Sequence, residues 1–163
     1  MKTLLILRHA KSSWSNSRLA DHDRPLNDRG RRDAPRMGRL LRDEGVVPEL
    51  IISSSAERAL TTAEQVALSS GYEEEIEVTR ELYHAAAEDY IAQLRKRGRE
   101  QSTIMVVGHN PGLEELVELL TDEDEVLSTA ALARVALPIR TWQELDEATQ
   151  GTLVDLWRPK DLA

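Results

Sequence analysis

The sequence contains no cysteine among its 163 residues. The chain can therefore form no disulfide, no thiolate zinc site and no cysteine nucleophile. Phenylalanine is also absent, and aromatic residues make up only 4% of the chain. These absences exclude thiol chemistry and predict an aliphatic core built from leucine, isoleucine, valine and alanine.

Long hydrophobic runs are absent as well. The apolar run nearest the N-terminus, Leu4–Leu7, is interrupted by Arg8 and is only about as long as a strand. It is too short for the hydrophobic region of a signal peptide or for a transmembrane helix. We therefore expect a cytoplasmic protein with no membrane partner.

Positively charged residues are fewer than negatively charged ones. The chain has 29 aspartates and glutamates and 21 lysines and arginines, so its formal net charge is -8. Such a balance argues against non-specific binding to nucleic acid or to an anionic membrane. It also implies that any anion site must be a local cluster of positive side chains on an acidic background.

Three continuously apolar runs indicate buried strands: Leu4–Leu7, Leu50–Ile52 and Ile104–Val107. Unbroken runs of this length are typical of a parallel sheet that is covered on both faces. Four helical patterns lie between or after these runs, over residues 28–44, 57–70, 87–97 and 110–120. Weaker strand patterns cover residues 75–78, 131–137 and 152–157.

The alternation of strand and helix predicts one α/β domain over residues 1–163, with three α/β/α layers and a mostly parallel central sheet. The segment that ends at Gly98 holds one helix at most after the preceding strand, so we expect no lid subdomain. Pro35 predicts that the first helix either starts near Asp33 or is kinked. Asn110 and Pro111 predict a cap and a first helical residue.

Polar side chains follow each of the three apolar runs. Arg8 and His9 follow the first run, Arg58 begins the helix after the second, and His109 follows the third. Ligands of open α/β sheets bind beyond the carboxyl ends of the strands, so these side chains should converge on one crevice. Taken singly, each is more typical of a solvated strand end, a helix cap or an exposed helix residue.

Two arginines and two histidines together suit a phosphoryl group. Arginine binds phosphate through two parallel hydrogen bonds and stays charged, and histidine can act as a nucleophile or a base. No acidic or cysteine cluster near them suggests a metal. We therefore expect an anion site that handles phosphoryl groups without a metal or another cofactor.

Four blocks of the sequence, over about residues 3–120, resemble the histidine phosphatase superfamily and its small SixA-type phosphohistidine phosphatases. The blocks are LLILRHAKSSW, DHDRPLNDRGRRDAPRMG, SSSAERALTTAE and VVGHNPGLEEL. The superfamily signature is an RHG-type triplet, which is RHA here. The resemblance implies a phosphoglycerate mutase-like fold.

The resemblance also implies roles for individual residues. His9 is the expected nucleophile. Arg8 and Arg58 are expected to bind the phosphoryl oxygens. His109 is expected to donate a hydrogen bond or charge to the same group. Arg24 is expected to add a further positive contact, or else to form a salt bridge with Asp21 or Asp23.

The general acid is the least defined part of this site. Larger superfamily members use an acidic residue to protonate the leaving oxygen, and Glu81 in RELYH is the best candidate, with a solvated carboxylate as the alternative. Lys11, Ser12 and Trp14 are expected to shape the mouth of the site.

Three functions remain open from the sequence. The first is a phosphatase that acts on a phosphohistidine-containing protein, whose imidazole leaving group needs little protonation. The second is a small-molecule phosphomonoesterase with a working Glu81. The third is a phosphocarrier or phosphate-binding module in which His9 holds phosphate without hydrolysis.

Overall fold

A six-stranded sheet with helices on both faces forms the framework of the protein, as seen in a computed structural model that describes residues 1–162. The strands are β1 (Lys2–Arg8), β2 (Leu50–Ser54), β3 (Ile76–Thr79), β4 (Thr103–Gly108), β5 (Leu132–Leu137) and β6 (Thr152–Trp157). The helices are α1 (Asp28–Asp43), α2 (Glu57–Ser70), α3 (Ala87–Arg97) and α4 (Gly112–Thr121). Their alternation confirms the predicted α/β class.

The strand order across the sheet is β3-β2-β4-β1-β5-β6. Strands β1 to β4 pair in parallel, whereas β5 is antiparallel to both of its neighbours. The sheet is thus mostly parallel, and the carboxyl ends of β2, β4 and β1 lie side by side at one edge. Between β3 and β4 lie a short 3-10 helix and α3, so residues 80–102 hold no lid subdomain.

The continuous apolar runs are explained by helices on both faces of the sheet. Leu4 and Ile6 of β1 pack in one cluster with α3 and α4, while Leu5 and Leu7 pack in another with α1 and α2. All four side chains are fully buried. Burial on both faces removes the need for polar residues at alternate positions, which is why the run was apolar throughout.

Helix α1 agrees with the predicted pattern over residues 28–44, since it begins at Asp28 and runs through Pro35. The Asn27 side chain caps it by accepting a hydrogen bond from the Gly30 N–H at 2.9 Å. Met37 and Leu41 pack against α2 in the core. The cap and this packing outweigh the single backbone hydrogen bond that proline removes, so a start near Asp33 was wrong.

Helix α4 begins later than expected, at Gly112, and Pro111 rather than Asn110 precedes it. The Asn110 side chain is not a cap, because its Nδ2 donates to the Leu127 carbonyl at 2.8 Å. The bounds of α2 and α3 agree with the prediction, and α2 stops at Gly71 with φ +85°. No helix in residues 1–162 is both long and apolar enough to cross a membrane.

Candidate active site

The sheet brings the predicted histidines together. Arg8 at the end of β1 lies beside Gly108 at the end of β4, and the His9 N–H donates to the Gly108 carbonyl at 3.1 Å. The imidazole rings of His9 and His109 consequently lie with their centroids 5.2 Å apart. The expected convergence at this edge of the sheet is present.

An inner pocket of about 210 Å³ surrounds the two histidines. It is lined by Arg8, His9, Lys11, Ser12, Trp14, Arg24, Arg58, His109, Asn110 and Thr129. Four of these side chains are arginine or lysine and none is a carboxylate. On a chain of net charge -8, this is the local cluster of positive charge that an anion site requires.

The orientation of His9 fixes which of its nitrogens can react. His9 Nδ1 lies 2.7 Å from the Ala10 carbonyl, and because a carbonyl only accepts, Nδ1 carries the proton. The Ala10 N–H in turn donates to Thr62 Oγ1 at 3.0 Å, which holds that carbonyl in place. Nε2 of His9 therefore keeps its lone pair.

Burial and the positive charges of Arg58, Arg8 and Arg24 lower the pKa of His9 to about 4. His9 is thus neutral near pH 7. A neutral imidazole with a free Nε2 in a cationic pocket is suited to attack an electrophile that carries negative charge.

His109 is held by groups from two other elements. Its Nε2 lies 2.8 Å from Ser54 Oγ at the end of β2, and its backbone N–H donates to the Tyr90 hydroxyl at 3.2 Å. A Cβ atom at Gly108 would lie 2.1 Å from that hydroxyl, so the close approach of α3 requires glycine there. Burial, followed by the neighbouring His9 and Arg58, lowers the pKa of His109 to about 3.

Asp21 joins the two arginines that follow β1 and β2 in the chain. Arg58 donates to the Asp21 carbonyl at 2.7 Å and to Oδ2 at 3.0 Å, while Arg24 donates through Nε to Oδ1 at 3.1 Å. The Tyr83 hydroxyl also donates to Oδ2, at 2.7 Å. The hydrogen bond from Tyr83, and those from the arginines, hold the pKa of Asp21 well below its usual range.

Arg24 forms the expected salt bridge with Asp21 and also lines the inner pocket, while its contact with a phosphoryl group stays a prediction. The bond between Asp21 and Arg58 was not expected. The spacing of three residues between Asp21 and Arg24 signals their pairing, whereas 37 residues separate Asp21 from Arg58 and no local pattern connects them.

Three residues of the pocket each keep a buried nitrogen that has no hydrogen-bond partner among residues 1–162. These atoms are Arg8 Nε, Arg58 Nε and His109 Nδ1. A buried polar group without a partner costs about 1–3 kcal/mol. The oxygens of a bound oxyanion are acceptors of the kind that such nitrogens need when they carry a proton.

An outer cleft of about 490 Å³ adjoins the inner pocket and shares Trp14, Arg24, Arg58, His109 and Asn110 with it. Its other lining residues are Asp21, His84, Ala85, Ala86, Pro111 and Glu115. Trp14 is 72% exposed, and the Arg24 guanidinium lies 3.5 Å from the centre of its ring. The expected mouth residues, Lys11, Ser12 and Trp14, do lie at the pocket.

The structure does not bring Glu81 to either cavity, which corrects its expected placement. The chain turns at the end of β3, where the Glu81 N–H donates to Thr79 Oγ1 at 3.1 Å. This turn directs the Glu81 carboxylate to α3, where it accepts a hydrogen bond from Gln93. Instead, His84 lines the outer cleft from the same loop, with a left-handed backbone at φ +58°.

Metal ligands are not clustered in the part of the chain that the structure describes. No three histidine, aspartate or glutamate side chains there lie close enough to hold a metal ion. The charged groups of the site are instead the fixed cations of the inner pocket.

Residues 4–101 match a sequence model described as the histidine phosphatase superfamily, branch 1. The chain belongs to the histidine phosphatase superfamily. The matched range includes His9 and Arg58, while His109 lies beyond it. Membership in this superfamily supports phosphatase activity for the chain.

Solved structures agree with this assignment. The protein histidine phosphatase SixA, complexed with tungstate, superposes with a TM-score of 0.83 at 25% identity over 99% of both chains. A candidate phosphohistidine phosphatase SixA from Agrobacterium tumefaciens gives 0.78 at 28% identity over 97% of this chain and 98% of the other. The fold is thus of the SixA type, and the prediction of a phosphoglycerate mutase-like fold is confirmed.

Among sequence relatives, an uncharacterized chloroplastic protein of Arabidopsis thaliana is 33% identical over 152 residues. The match covers 88% of this chain and 70% of the relative. It extends the resemblance beyond the four motif blocks to most of the chain.

Proposed function

We propose that this protein is a phosphatase that removes the phosphoryl group from phosphohistidine in a partner protein, through a covalent intermediate on His9. The observation that carries the proposal is the composition of the inner pocket. It holds a neutral His9 with a free Nε2, surrounded by fixed cations, and it contains no carboxylate. The names of the SixA structures point to the same substrate class.

The first step is the attack of His9 Nε2 on phosphorus. A bond forms between this nitrogen and phosphorus as the bond from phosphorus to the substrate imidazole breaks, and the electron pair leaves on the substrate nitrogen. Negative charge on the transferred group spreads over its equatorial oxygens. Arg8, Arg58 and Arg24 supply fixed positive charge for these oxygens, with Asp21 holding two of the three in position.

The second step releases His9. Water attacks phosphorus, the bond from phosphorus to His9 breaks, and the electron pair returns to Nε2 while the proton of the water is lost to solvent. The hydrogen bond from Nδ1 to the Ala10 carbonyl keeps the ring in the same orientation in both steps. Neutral His109, in the tautomer whose Nε2 accepts from Ser54 Oγ, donates from Nδ1 to an oxygen of the group.

The absence of a carboxylate from the inner pocket favours imidazole as the leaving group. An alkoxide leaves poorly without a proton, whereas phosphohistidine whose other ring nitrogen carries a proton expels neutral imidazole, whose conjugate acid has an unperturbed pKa near 6.5, so that it leaves readily. The outer cleft opens directly from the pocket, so a histidine on a protein surface can enter from that side.

A small-molecule phosphomonoesterase is the second candidate, and Glu115 favours it. This residue lies in the first turn of α4 and lines the outer cleft, where an alcohol leaving group would sit. A carboxyl group at that place can protonate an alkoxide.

The experiment that tests the proposal compares two substrates side by side. Phosphate release is measured from a histidine-phosphorylated protein and from p-nitrophenyl phosphate with the same enzyme preparation. We expect the higher kcat/KM with the phosphohistidine protein. Preference for p-nitrophenyl phosphate would favour the esterase, and labelling of His9 without turnover on either substrate would favour a phosphocarrier.

A further inference from the structure

We propose that the arginine-rich face of α1 docks the acidic surface of the protein that carries the phosphohistidine. This basic face consists of Arg29, Arg31, Arg32, Arg36, Arg39 and Arg42. The inference rests on the proposed function, since it concerns how the partner protein is delivered to the same site. It assigns a binding role to a helix whose side chains take no part in the reaction.

The arginines lie on the side of α1 that faces away from the core, although Arg36 there is half-buried and donates to the Pro159 and Leu162 carbonyls. The buried residues Ala34, Met37 and Leu41 occupy the opposite side. Arg32 and Arg39 are seven positions apart, which places them two turns apart on one line of the helix surface. Both are exposed, and neither forms an ion pair or a side-chain hydrogen bond with residues 1–162.

The carboxylates of α1 do not neutralise the middle of this face. Asp33 is buried and is paired with Arg29 and Arg36, while Asp28 and Asp43 stand at the two ends of the helix. Six arginines and three aspartates give α1 a formal charge of +3. Since the whole chain carries -8, the other residues together carry -11.

The basic face begins at the mouth of the inner pocket. The Asn27 N–H, at the start of α1, donates to the Lys11 carbonyl at 3.0 Å. A Cβ atom at Gly30 would lie 2.2 Å from the same carbonyl, so the first turn of α1 rests directly on this segment. Because Lys11 lines the pocket, a protein that docks on the first turns of α1 lies next to the mouth of this pocket.

The dimensions suit a protein interface. A helix of 16 residues is about 24 Å long. A specific protein interface buries about 800 Å² on each partner, a patch of similar width. The exposed Trp14, three residues after Lys11, extends the surface across the mouth and offers an aromatic contact of the kind that interfaces favour.

A protein fits this surface better than a nucleic acid. The residues outside α1 carry a formal charge of -11, which repels a long polyanion everywhere except along this one helix. Nucleic acids are bound instead by extended basic surfaces. A folded partner presents its acidic residues only where it docks. Charge complementarity of this kind raises association rates and selects partners.

The test reverses the charge of the two unpaired arginines in the double variant Arg32→Glu/Arg39→Glu. The matched control is Lys96→Glu/Arg99→Glu, which changes the net charge equally at two exposed residues at and just after the end of α3, on the opposite face of the sheet from α1. Three substrates are compared: an acidic protein and a basic protein, each phosphorylated on histidine with phosphoramidate, and free phosphohistidine.

We expect KM for the acidic phosphoprotein to rise about tenfold or more in the α1 variant and less than about twofold in the control, with kcat unchanged in both. KM for free phosphohistidine should stay the same, which shows that the pocket is intact. With the wild-type enzyme, kcat/KM for the acidic phosphoprotein should also fall as salt rises, and this dependence should weaken in the α1 variant.

Equal changes in KM for the α1 variant and the control would overturn the docking surface while leaving the proposed function in place. Wild-type enzyme that hydrolyses p-nitrophenyl phosphate but no phosphohistidine substrate would overturn the proposed function, and the docking inference with it. Tighter binding of duplex DNA or of anionic vesicles by the wild type than by the α1 variant, without a change in KM for the phosphoprotein, would assign the basic face to another ligand.

Discussion

The inner pocket and the outer cleft share five residues but differ in their origin and their charge. Most residues found only in the inner pocket lie at or just after the end of β1, as Arg8 and His9 do, and none of them is a carboxylate. Those found only in the outer cleft come from loops and a helix start, and they include Asp21 and Glu115. The contrast suggests that strand ends fix the chemistry at phosphorus, while loops decide which leaving group is accepted.

The largest expected effect lies at the centre of the inner pocket. His9→Ala removes the proposed nucleophile, so we expect kcat to fall by roughly 10⁴–10⁶-fold, as for loss of other enzymatic nucleophiles. Steady-state kinetics on protein shown to be folded by circular dichroism checks this. An active and folded His9→Ala protein would remove the inner pocket from the mechanism.

The two buried arginines should differ in importance. Arg58 bonds Asp21 through its terminal nitrogens and keeps a buried Nε without a partner among residues 1–162, whereas Arg24 uses its Nε for Asp21 and one terminal nitrogen for Ser12. We expect Arg58→Ala to lower kcat/KM by about 10²–10³-fold, as for loss of an oxyanion donor, and Arg24→Ala to lower it less. Equal, small losses in the two variants would contradict direct contact between Arg58 and the phosphoryl group.

The inner pocket also predicts how its histidines titrate. Their pKa values are lowered to about 4 for His9 and about 3 for His109, so both stay neutral on acidification from pH 7 to pH 5. The unfolded chain binds these protons near pH 6.5, so these two groups make folding stability fall as pH drops below that value.

Imidazole NMR signals of the free enzyme measure the two midpoints directly. Tungstate should then raise the midpoint of His109, because a bound oxyanion favours the charged imidazole. Midpoints near 6.5 without tungstate would show that the pocket is more solvated than its geometry implies.

The smallest expected effects on phosphohistidine hydrolysis concern Glu81 and Glu115, two carboxylates outside the inner pocket. Glu81 is bonded to Gln93 and lines neither cavity, so Glu81→Gln should change kcat/KM less than about threefold on either substrate class. Glu115→Gln should lower hydrolysis of an alkyl phosphate, by about 10²-fold if it acts as a general acid. It should leave phosphohistidine hydrolysis nearly unchanged, because imidazole needs no proton from it.

Parallel measurements of both variants on both substrates decide this point. A large loss for Glu81→Gln would return the acid role to Glu81 and would require the loop after β3 to move. No loss for Glu115→Gln on the alkyl phosphate would leave the outer cleft without a proton donor.

Much of the inner pocket could be predicted from the sequence, because strand ends are local signals. The apolar run before Arg8 and the one before His109 mark where two neighbouring strands stop, and parallel pairing then places their ends together. The bond between Asp21 and Arg58 could not be predicted, because it depends on how the loop before α1 folds over the start of α2. The predicted position of Glu81 was wrong for a related reason. A single 3-10 turn after β3 decides whether the Glu81 side chain faces the site or α3.

The most direct test of the proposed mechanism is to trap the phosphoryl group on His9. Enzyme mixed briefly with a ³²P-phosphohistidine protein and denatured in alkali should carry label on His9, and the label should disappear after acid treatment, as expected for a phosphoramidate. The His9→Ala protein should carry none. A label that survives acid, or one that is retained by His9→Ala, would place the covalent intermediate on another residue and contradict the proposed mechanism.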